Sequence, residues 1–62
     1  PISLSIHEGQ EFEYVLSGKM KLVLGDEEFI LNEGDCIYFD SSQPHGMRSV
    51  GEEDATFLAI IL

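Results

Sequence analysis

Three side chains in this chain carry the atom types that bind transition metals: His7, Glu11 and His45. Imidazole nitrogens and a carboxylate oxygen suit a divalent transition metal, and a set of two histidines and one carboxylate leaves coordination positions open for a small molecule. His7 and Glu11 flank the segment 8–10, where a bend at Gly9 would point both side chains to one side. His45 reaches them only if the sheet folds back on itself. The alternative is that all three are ordinary solvated residues.

The elements that would position these side chains are short strands. Glycine-rich turn signals recur at regular intervals and separate runs of β-branched, aromatic and aliphatic residues, a pattern typical of antiparallel strands. No stretch keeps a helical period, because Gly or Pro interrupts each window. The chain is therefore predicted to be all-β, a small barrel or sandwich. The predicted strands are Ile2–Ile6, Glu11–Ser17, Lys19–Leu24, Glu27–Leu31, Asp35–Asp40, His45–Val50 and Ala55–Leu62.

Period-two alternation predicts which side chains share a face of a strand. In Glu11–Ser17, the acids Glu11 and Glu13 share one face, and the aromatic residues share the other. A bulge near Gly9 would instead make Glu13 the inward acid. The last strand, Ala55–Leu62, is apolar on both faces, so both faces should be covered. With no predicted helix to cover it, a second subunit is expected, and the chain is predicted to form a homodimer.

The small size of the chain also indicates that it needs a partner or a bound metal. A chain of 62 residues is one domain and buries only about 60% of its unfolded surface, so it usually needs a disulfide, a metal or a partner. Cys36 is the only cysteine, which excludes an internal disulfide, and its sequence context predicts a small buried side chain. The start at Pro1 and the apolar end at Leu62 predict that 1–62 is a single domain excised from a longer protein, or its C-terminal part.

Charge limits the partners. Twelve acidic residues against three basic ones give a net charge of -9, which repels phosphate backbones and anionic lipid. We therefore expect no direct nucleic-acid contact by this segment. The sequence has no apolar run near the roughly 20 residues of a membrane helix and no signal peptide. A cytoplasmic domain without membrane contact is expected.

Two motifs carry a family resemblance. The spacing of His7, Glu11 and Gly18 is similar to the second half of the first cupin motif. The stretch GDCIYFDSSQPHGMRS resembles the second cupin motif, with Gly34 at its start and His45 at the motif histidine. The resemblance implies a small antiparallel jelly-roll barrel with His7, Glu11 and His45 as metal ligands. The metal it implies is a divalent transition metal such as Zn, Mn, Fe or Ni.

The chain departs from the motifs at four positions. Ser5 stands where the first motif has its first histidine, which leaves three protein ligands; this fits an open metal site and equally a metal-free binding cupin. Water or Glu13 could take the place of the missing ligand. Asp40, Ser42 and Ser49 replace the usual proline, glycine and asparagine, which affects turns more than ligation. Residues expected to contact a bound small molecule are Ser5, Glu13, Tyr14 and Met47.

The whole pattern, with its apolar tail FLAIIL, is most similar to the C-terminal cupin of helix-turn-helix transcription regulators of the XRE type. This resemblance implies a domain that senses a small-molecule effector and dimerises, while a separate domain contacts DNA. Two alternatives stay open: a metal-dependent enzyme of the dioxygenase or isomerase type, and a purely structural dimerisation domain. The missing first histidine and the absence of an identifiable general base argue against catalysis.

Overall fold

The computed structural model describes residues 4–62 as six β-strands: β1 Gln10–Ser17, β2 Lys19–Leu24, β3 Glu27–Asn32, β4 Cys36–Asp40, β5 His45–Ser49 and β6 Thr56–Ile61. The strands predicted from Glu11 onward are all present. The predicted strand Ile2–Ile6 lies partly outside the described residues, and its described part pairs only through an isolated bridge between Ser5 and His45. No helix in this part of the chain is long and apolar enough to cross a membrane.

The six strands form two three-stranded sheets, with the orders β4-β1-β6 and β3-β2-β5. Every pairing of neighbouring strands within these sheets is antiparallel. The predicted fold class, an all-β antiparallel barrel, is therefore confirmed. β1 lies at the centre of one sheet and β2 at the centre of the other, so each central strand presents one face to the interior.

The core lies between the sheets. One sheet contributes the buried residues Val15 and Phe39, and the other contributes Met20, Leu22 and Leu31. Val15 and Leu22 are completely shielded from solvent. The hydrophobic effect of this small core holds the two sheets face to face, and so sets the distance between β1 and β5, which carry the polar side chains discussed below.

The inward face of β1 carries acids. Glu11 is 4% exposed and Glu13 is completely buried, and both share the inward face with Val15. No bulge near Gly9 is needed, because β1 pairs with β4 without a register shift from Gln10 to Tyr14. The predicted sharing of one face by Glu11 and Glu13 is therefore confirmed, and that face points inward.

Cys36 corrects a prediction. The sequence predicts a small buried side chain, but Cys36 is exposed. It lies at the start of β4 directly opposite Tyr14, which is itself exposed on the outer face of β1. Since directly paired residues of antiparallel strands share a face, this pairing places Cys36 on the outside, and its prediction as a buried residue is wrong.

Candidate metal centre

His7, Glu11 and His45 come together at one end of the sheets. Each offers a ligand atom, and the three atoms all lie within 4.8 Å of one another. Glu11 projects from β1, His45 begins β5, and His7 lies in the segment before β1. The predicted proximity of these three residues is present in the structure.

Backbone hydrogen bonds hold the segment before β1 against the ends of β4 and β5. Ser5 N–H donates to the carbonyl of His45 at 2.7 Å, and His45 N–H donates back to Ser5 at 3.0 Å. His7 N–H donates to the carbonyl of Ser41, and Ser41 N–H donates to that of Gly9, each at 3.0 Å. The chain is thus clamped on both sides of His7, so the His7 side chain is directed toward β5.

A single oxygen lies between the two imidazoles. Oε1 of Glu11 is 2.7 Å from Nε2 of His7 and 3.0 Å from Nε2 of His45. The two rings meet edge to face, with centroids 5.1 Å apart. Phe39 covers His45 from the core side, with ring centroids 5.1 Å apart. Two nitrogens and one oxygen therefore converge on a small volume that apolar packing partly shields from water.

The other ring nitrogens assign the tautomers. Nδ1 of His45 is 2.9 Å from the carbonyl oxygen of Gln43, and Nδ1 of His7 is 3.2 Å from that of Glu8. A carbonyl oxygen only accepts hydrogen bonds, so each Nδ1 must carry the hydrogen. In the neutral rings, both Nε2 lone pairs then face the Glu11 carboxylate, and only a cation, either protons or a metal ion, satisfies all three atoms. Metal-binding histidines almost always donate their other ring N–H in this way.

In the metal-free protein, the electrostatics favour a proton as the cation between His7 and Glu11. The hydrogen bond to the Glu8 carbonyl, followed by the hydrogen bond to the Glu11 carboxylate, raises the pKa of His7 above its ordinary value. Burial tends to raise the pKa of Glu11, but Glu13, the hydrogen bond from His7 and the charges of both histidines together lower it. The Glu11 carboxyl is therefore ionised and attracts a cation to the two imidazoles.

Glu13 stands next to this group without a partner of its own. Among residues 4–62, neither of its carboxyl oxygens has a hydrogen-bond donor within reach. Burial, and then the neighbouring Glu11 carboxyl, raise the pKa of Glu13 to about 8. Ser41 is a second buried group with an unpaired side-chain oxygen, and it is not among the predicted site residues. Its alternation with Phe39 at the end of β4 is the signal that would have found it.

The other residues predicted to contact a small molecule lie in different places. Ser5 is exposed, and only its backbone pairs with His45. Met47 is half-buried and packs against the core, opposite Leu22 on the inward face. Tyr14 lies on the outer face of β1 and is 37% exposed, so the structure does not bring it to the cluster.

The donor set fits a divalent transition metal. Two imidazole nitrogens and one carboxylate oxygen are ligands that Zn, Mn, Fe and Ni accept, and three protein ligands leave further coordination positions open. His7, Glu11 and His45 would hold the ion. When bound, the ion would supply a Lewis-acid centre with room for a small molecule.

Comparisons with known proteins identify similar chains. An oxalate-binding protein of Thermotoga maritima is 31% identical over 62 residues, which cover 98% of this chain and 51% of that protein. The crystal structure of TT1209 from Thermus thermophilus superposes with a TM-score of 0.86 at 28% identity, covering 95% of this chain and 57% of that one.

A further solved structure, Fe(II)-HppE with the alternative substrate (S)-1-HPP, superposes with a TM-score of 0.81 at 25% identity, covering 97% of this chain and 33% of that one. The chain spans about half the length of the oxalate-binding protein. Residues 2–61 match the cupin domain family. The chain belongs to the cupin domain family.

Proposed function

We propose that this cupin domain binds a small molecule through a divalent transition metal held by His7, Glu11 and His45. One observation carries the proposal: two Nε2 atoms, each with its Nδ1 held by a backbone carbonyl, converge on one carboxylate oxygen. This is the arrangement in which neutral imidazoles have no stable partner except a cation. The open coordination positions are where the small molecule binds.

We propose a small carboxylate, with oxalate as the first candidate. The similar protein from Thermotoga maritima is named for binding oxalate. An anion approaching a chain of net charge -9 needs local positive charge. Among residues 4–62, Lys21 is the only lysine or arginine in an ion pair, and it contacts Glu28 rather than the cluster. The bound metal supplies the missing charge, and two carboxylate oxygens suit two open positions.

Metal and oxalate titrations test this function. Metal-stripped protein is titrated with Mn²⁺, Ni²⁺ and Zn²⁺ by calorimetry, and the loaded protein is then titrated with oxalate. One metal ion per chain is expected to bind, and oxalate is expected to bind only after the metal. His45→Ala should abolish both binding events. Arg48→Ala, an exposed change on the same strand, should leave both intact. Failure of the unaltered chain to bind any of the three metals would overturn the proposal.

In the second part of the proposal, this chain is the effector-binding and dimerisation domain of a cytoplasmic helix-turn-helix regulator. A separate domain of that regulator contacts DNA. Support comes from the sequence resemblance and from a set of exposed apolar side chains that we call the outer apolar patch. It lies on the outer face of the sheet β4-β1-β6 and consists of Tyr14, Leu16, Tyr38, Leu58 and Ile60. A patch of this kind is typical of a protein–protein interface.

Sedimentation and DNA-binding measurements address this second part. The isolated domain is expected to sediment as a homodimer and to show no retention by duplex DNA at physiological salt, because its net charge of -9 repels phosphate. Addition of metal and oxalate should shift the dimer dissociation constant if the ligand favours one dimer arrangement. A monomer at all concentrations, or tight DNA binding by this segment alone, would overturn this part.

A metal-dependent enzyme is the alternative function. The likeness to an Fe(II) protein crystallised with a substrate, at 25% identity over 97% of this chain, favours it. The test is oxygen consumption by the Fe(II)-loaded protein in the presence of oxalate, compared with the His45→Ala variant. Turnover that disappears in the variant would establish catalysis. Binding of oxalate without turnover would leave the binding function in place.

A further inference from the structure

Glu13 is a buried carboxyl whose hydrogen-bonding capacity is unfilled. Its side chain is completely buried, in the middle of β1. Among residues 4–62, neither carboxyl oxygen finds a hydrogen-bond donor. An ionised carboxylate in such a place is costly unless it is paired with a positive charge or coordinates a metal. A protonated carboxyl avoids that cost, but its hydroxyl and carbonyl oxygens are still left without hydrogen-bond partners.

No basic side chain fills that role. Lys21 contacts Glu28 in the second sheet, and Arg48 is exposed. Among residues 4–62, the ion pairs of the cluster join Glu11 to His7 and to His45. Within the described residues, the positive charge that Glu13 lacks is thus not supplied by lysine or arginine.

Glu13 lies where it can reach the cluster. It shares the inward face of β1 with Glu11, and residues two apart on a strand have Cα atoms about 6.6 Å apart. A glutamate side chain spans much of that distance, so two such carboxylates can meet at one ion placed between them. In the structure, Glu13 stands outside the compact group formed by the other three ligand atoms. Ligation therefore requires its side chain to swing toward Glu11.

Charge balance favours that movement. A divalent ion held by two neutral imidazoles and the Glu11 carboxylate leaves a net charge of +1 in a site where Glu11 and His45 are 4% and 3% exposed. Uncompensated charge is unfavourable in such a shielded volume. As long as no small carboxylate is bound to supply negative charge, a second carboxylate from the protein makes the complex neutral. Glu13 is the buried acid with no other partner, and the chain has Ser5 where the first cupin motif would offer another ligand.

We propose that Glu13 is a fourth protein ligand of the metal, approaching from the interior of the barrel. The site is then made of two histidines and two carboxylates. The inference rests on the proposed function, since it concerns the same ion. It also reduces by one the number of coordination positions that remain open for a small carboxylate.

The first test compares metal affinities. Metal-stripped wild type, Glu13→Gln and Glu27→Gln are titrated with Zn²⁺ by calorimetry. Glu13→Gln keeps the shape of the side chain but removes the anionic ligand, and its affinity is expected to fall by at least about tenfold. Glu27 is an exposed acid at the start of β3, so Glu27→Gln removes the same charge without touching the site and should bind Zn²⁺ as the wild type does.

The second test separates ligation from a merely electrostatic or structural role, and it remains available if Glu13→Gln fails to fold. A crystal structure of the Zn²⁺-loaded wild type, with the ion located by anomalous scattering, is expected to show a Glu13 oxygen at about 2.0–2.2 Å from the metal. An ion bound by His7, Glu11 and His45 with Glu13 out of reach would overturn this inference and leave the proposed function standing. A wild type that binds no Zn²⁺, Mn²⁺ or Ni²⁺ would overturn both.

Discussion

Strands β1 and β6 are hydrogen-bonded neighbours in one sheet, but they place polarity in opposite positions. β1 buries two acids, Glu11 at 4% and Glu13 at 0% exposure. β6 has no charged residue, and all of its side chains are exposed; Leu58 is 48% exposed and Ile61 63%. The charged strand is the central strand of the sheet, and the strand without charge is at its edge.

The difference teaches that each strand lacks something the isolated chain does not contain. Buried carboxylates need a compensating positive charge. An exposed apolar edge strand needs a cover, because unpaired backbone groups and apolar side chains favour association. A small ion can satisfy β1, and only a protein surface can satisfy β6. We therefore infer that β1 binds a metal ion and β6 contacts another protein surface. The two interactions can be tested separately.

The largest effect is expected from removing the Glu11 charge. Glu11→Gln should weaken Zn²⁺ affinity at least about 100-fold, because an anionic ligand is lost from the centre of the cluster. The stability of the metal-free protein should not fall, since the amide of the new side chain can donate to an Nε2 lone pair of His7 or His45. Calorimetric titration and urea denaturation in EDTA measure the two quantities.

The matched control for Glu11→Gln is Glu27→Gln, which removes an exposed acid from β3 and should change neither quantity appreciably. Equal Zn²⁺ affinity of the Glu11→Gln and Glu27→Gln variants would show that β1 does not hold the ion. In that case, the contrast between β1 and β6 would have to be explained without a metal.

The next effect concerns β6. Leu58 lies opposite Tyr14 on the outer face and Phe57 lies opposite Val15 on the inner face, so changes at these neighbours test the two faces separately. Leu58→Lys should raise the dimer dissociation constant at least about tenfold, because a lysine would be buried in the outer apolar patch. Phe57→Lys should have a smaller effect on dimerisation. Sedimentation equilibrium measures both, and a wild-type monomer would remove the basis of this prediction.

Much of the fold follows from the sequence, for local reasons. The turn glycines and the period-two alternation predict the strands from Glu11 onward, because both signals depend on neighbouring residues only. The alternation also predicts that Glu11 and Glu13 share a face. It does not say which face is inward. Its apolar character would predict that the face with Phe12 and Tyr14 is the buried one. In the structure, the face with Glu11, Glu13 and Val15 is buried instead.

The candidate site is predictable in its residue types but not in its geometry. Histidine and glutamate side chains indicate a metal, and the cupin resemblance indicates which ones. The convergence of the two Nε2 atoms depends on the bridge between Ser5 and His45 and on the carbonyls of Glu8 and Gln43. The two carbonyl contacts are local, but the bridge joins segments that are distant in the sequence and leaves no pattern in it. Ser41 differs in this respect, because its spacing of two residues from the buried Phe39 is a local signal that its side chain points inward.

The buried carboxyl of Glu13 on β1 should make the stability of the metal-free protein depend on pH. In metal-free protein, the pKa of Glu13 is raised to about 8, so the folded state holds this proton more tightly than the unfolded state does. The stabilisation is fully present below the unfolded pKa, near pH 4.5, and is lost as pH rises through about 8. The slope approaches about 1.4 kcal/mol per pH unit within that window.

Urea denaturation in EDTA at several pH values between about 5 and 8 measures this slope. Glu13→Gln removes the titrating group and should flatten the dependence, with the larger gain in stability at the alkaline end of the window. Parallel curves for the wild type and Glu13→Gln would mean that Glu13 does not keep its proton in the folded state. The comparison between a buried polar strand and an exposed apolar strand would then lose its electrostatic part.

The smallest effect is expected at Gly9, where the two strands meet. Gly9 has a φ of +99°, and a Cβ at this position would collide with the backbone carbonyl of Leu62. Leu62 exchanges hydrogen bonds with Gln10, at 2.8 and 3.3 Å. Gly9→Ala should therefore displace the chain just beyond the end of β6 and tilt the bend before Glu11, which lowers Zn²⁺ affinity a few-fold without removing any ligand.

Gly34→Ala is the matched control for Gly9→Ala. Gly34 has a similar φ of +89°, but a Cβ there would meet nothing within 4 Å. Both variants bear the cost of a side chain in the left-handed region, about 1–2 kcal/mol, and only Gly9→Ala bears the collision with Leu62. Zn²⁺ affinity is expected to fall in Gly9→Ala and to stay unchanged in Gly34→Ala. Equal affinities would show that the metal centre of β1 is independent of how the chain after β6 is anchored, so the two regions would be separable in structure as well as in chemistry.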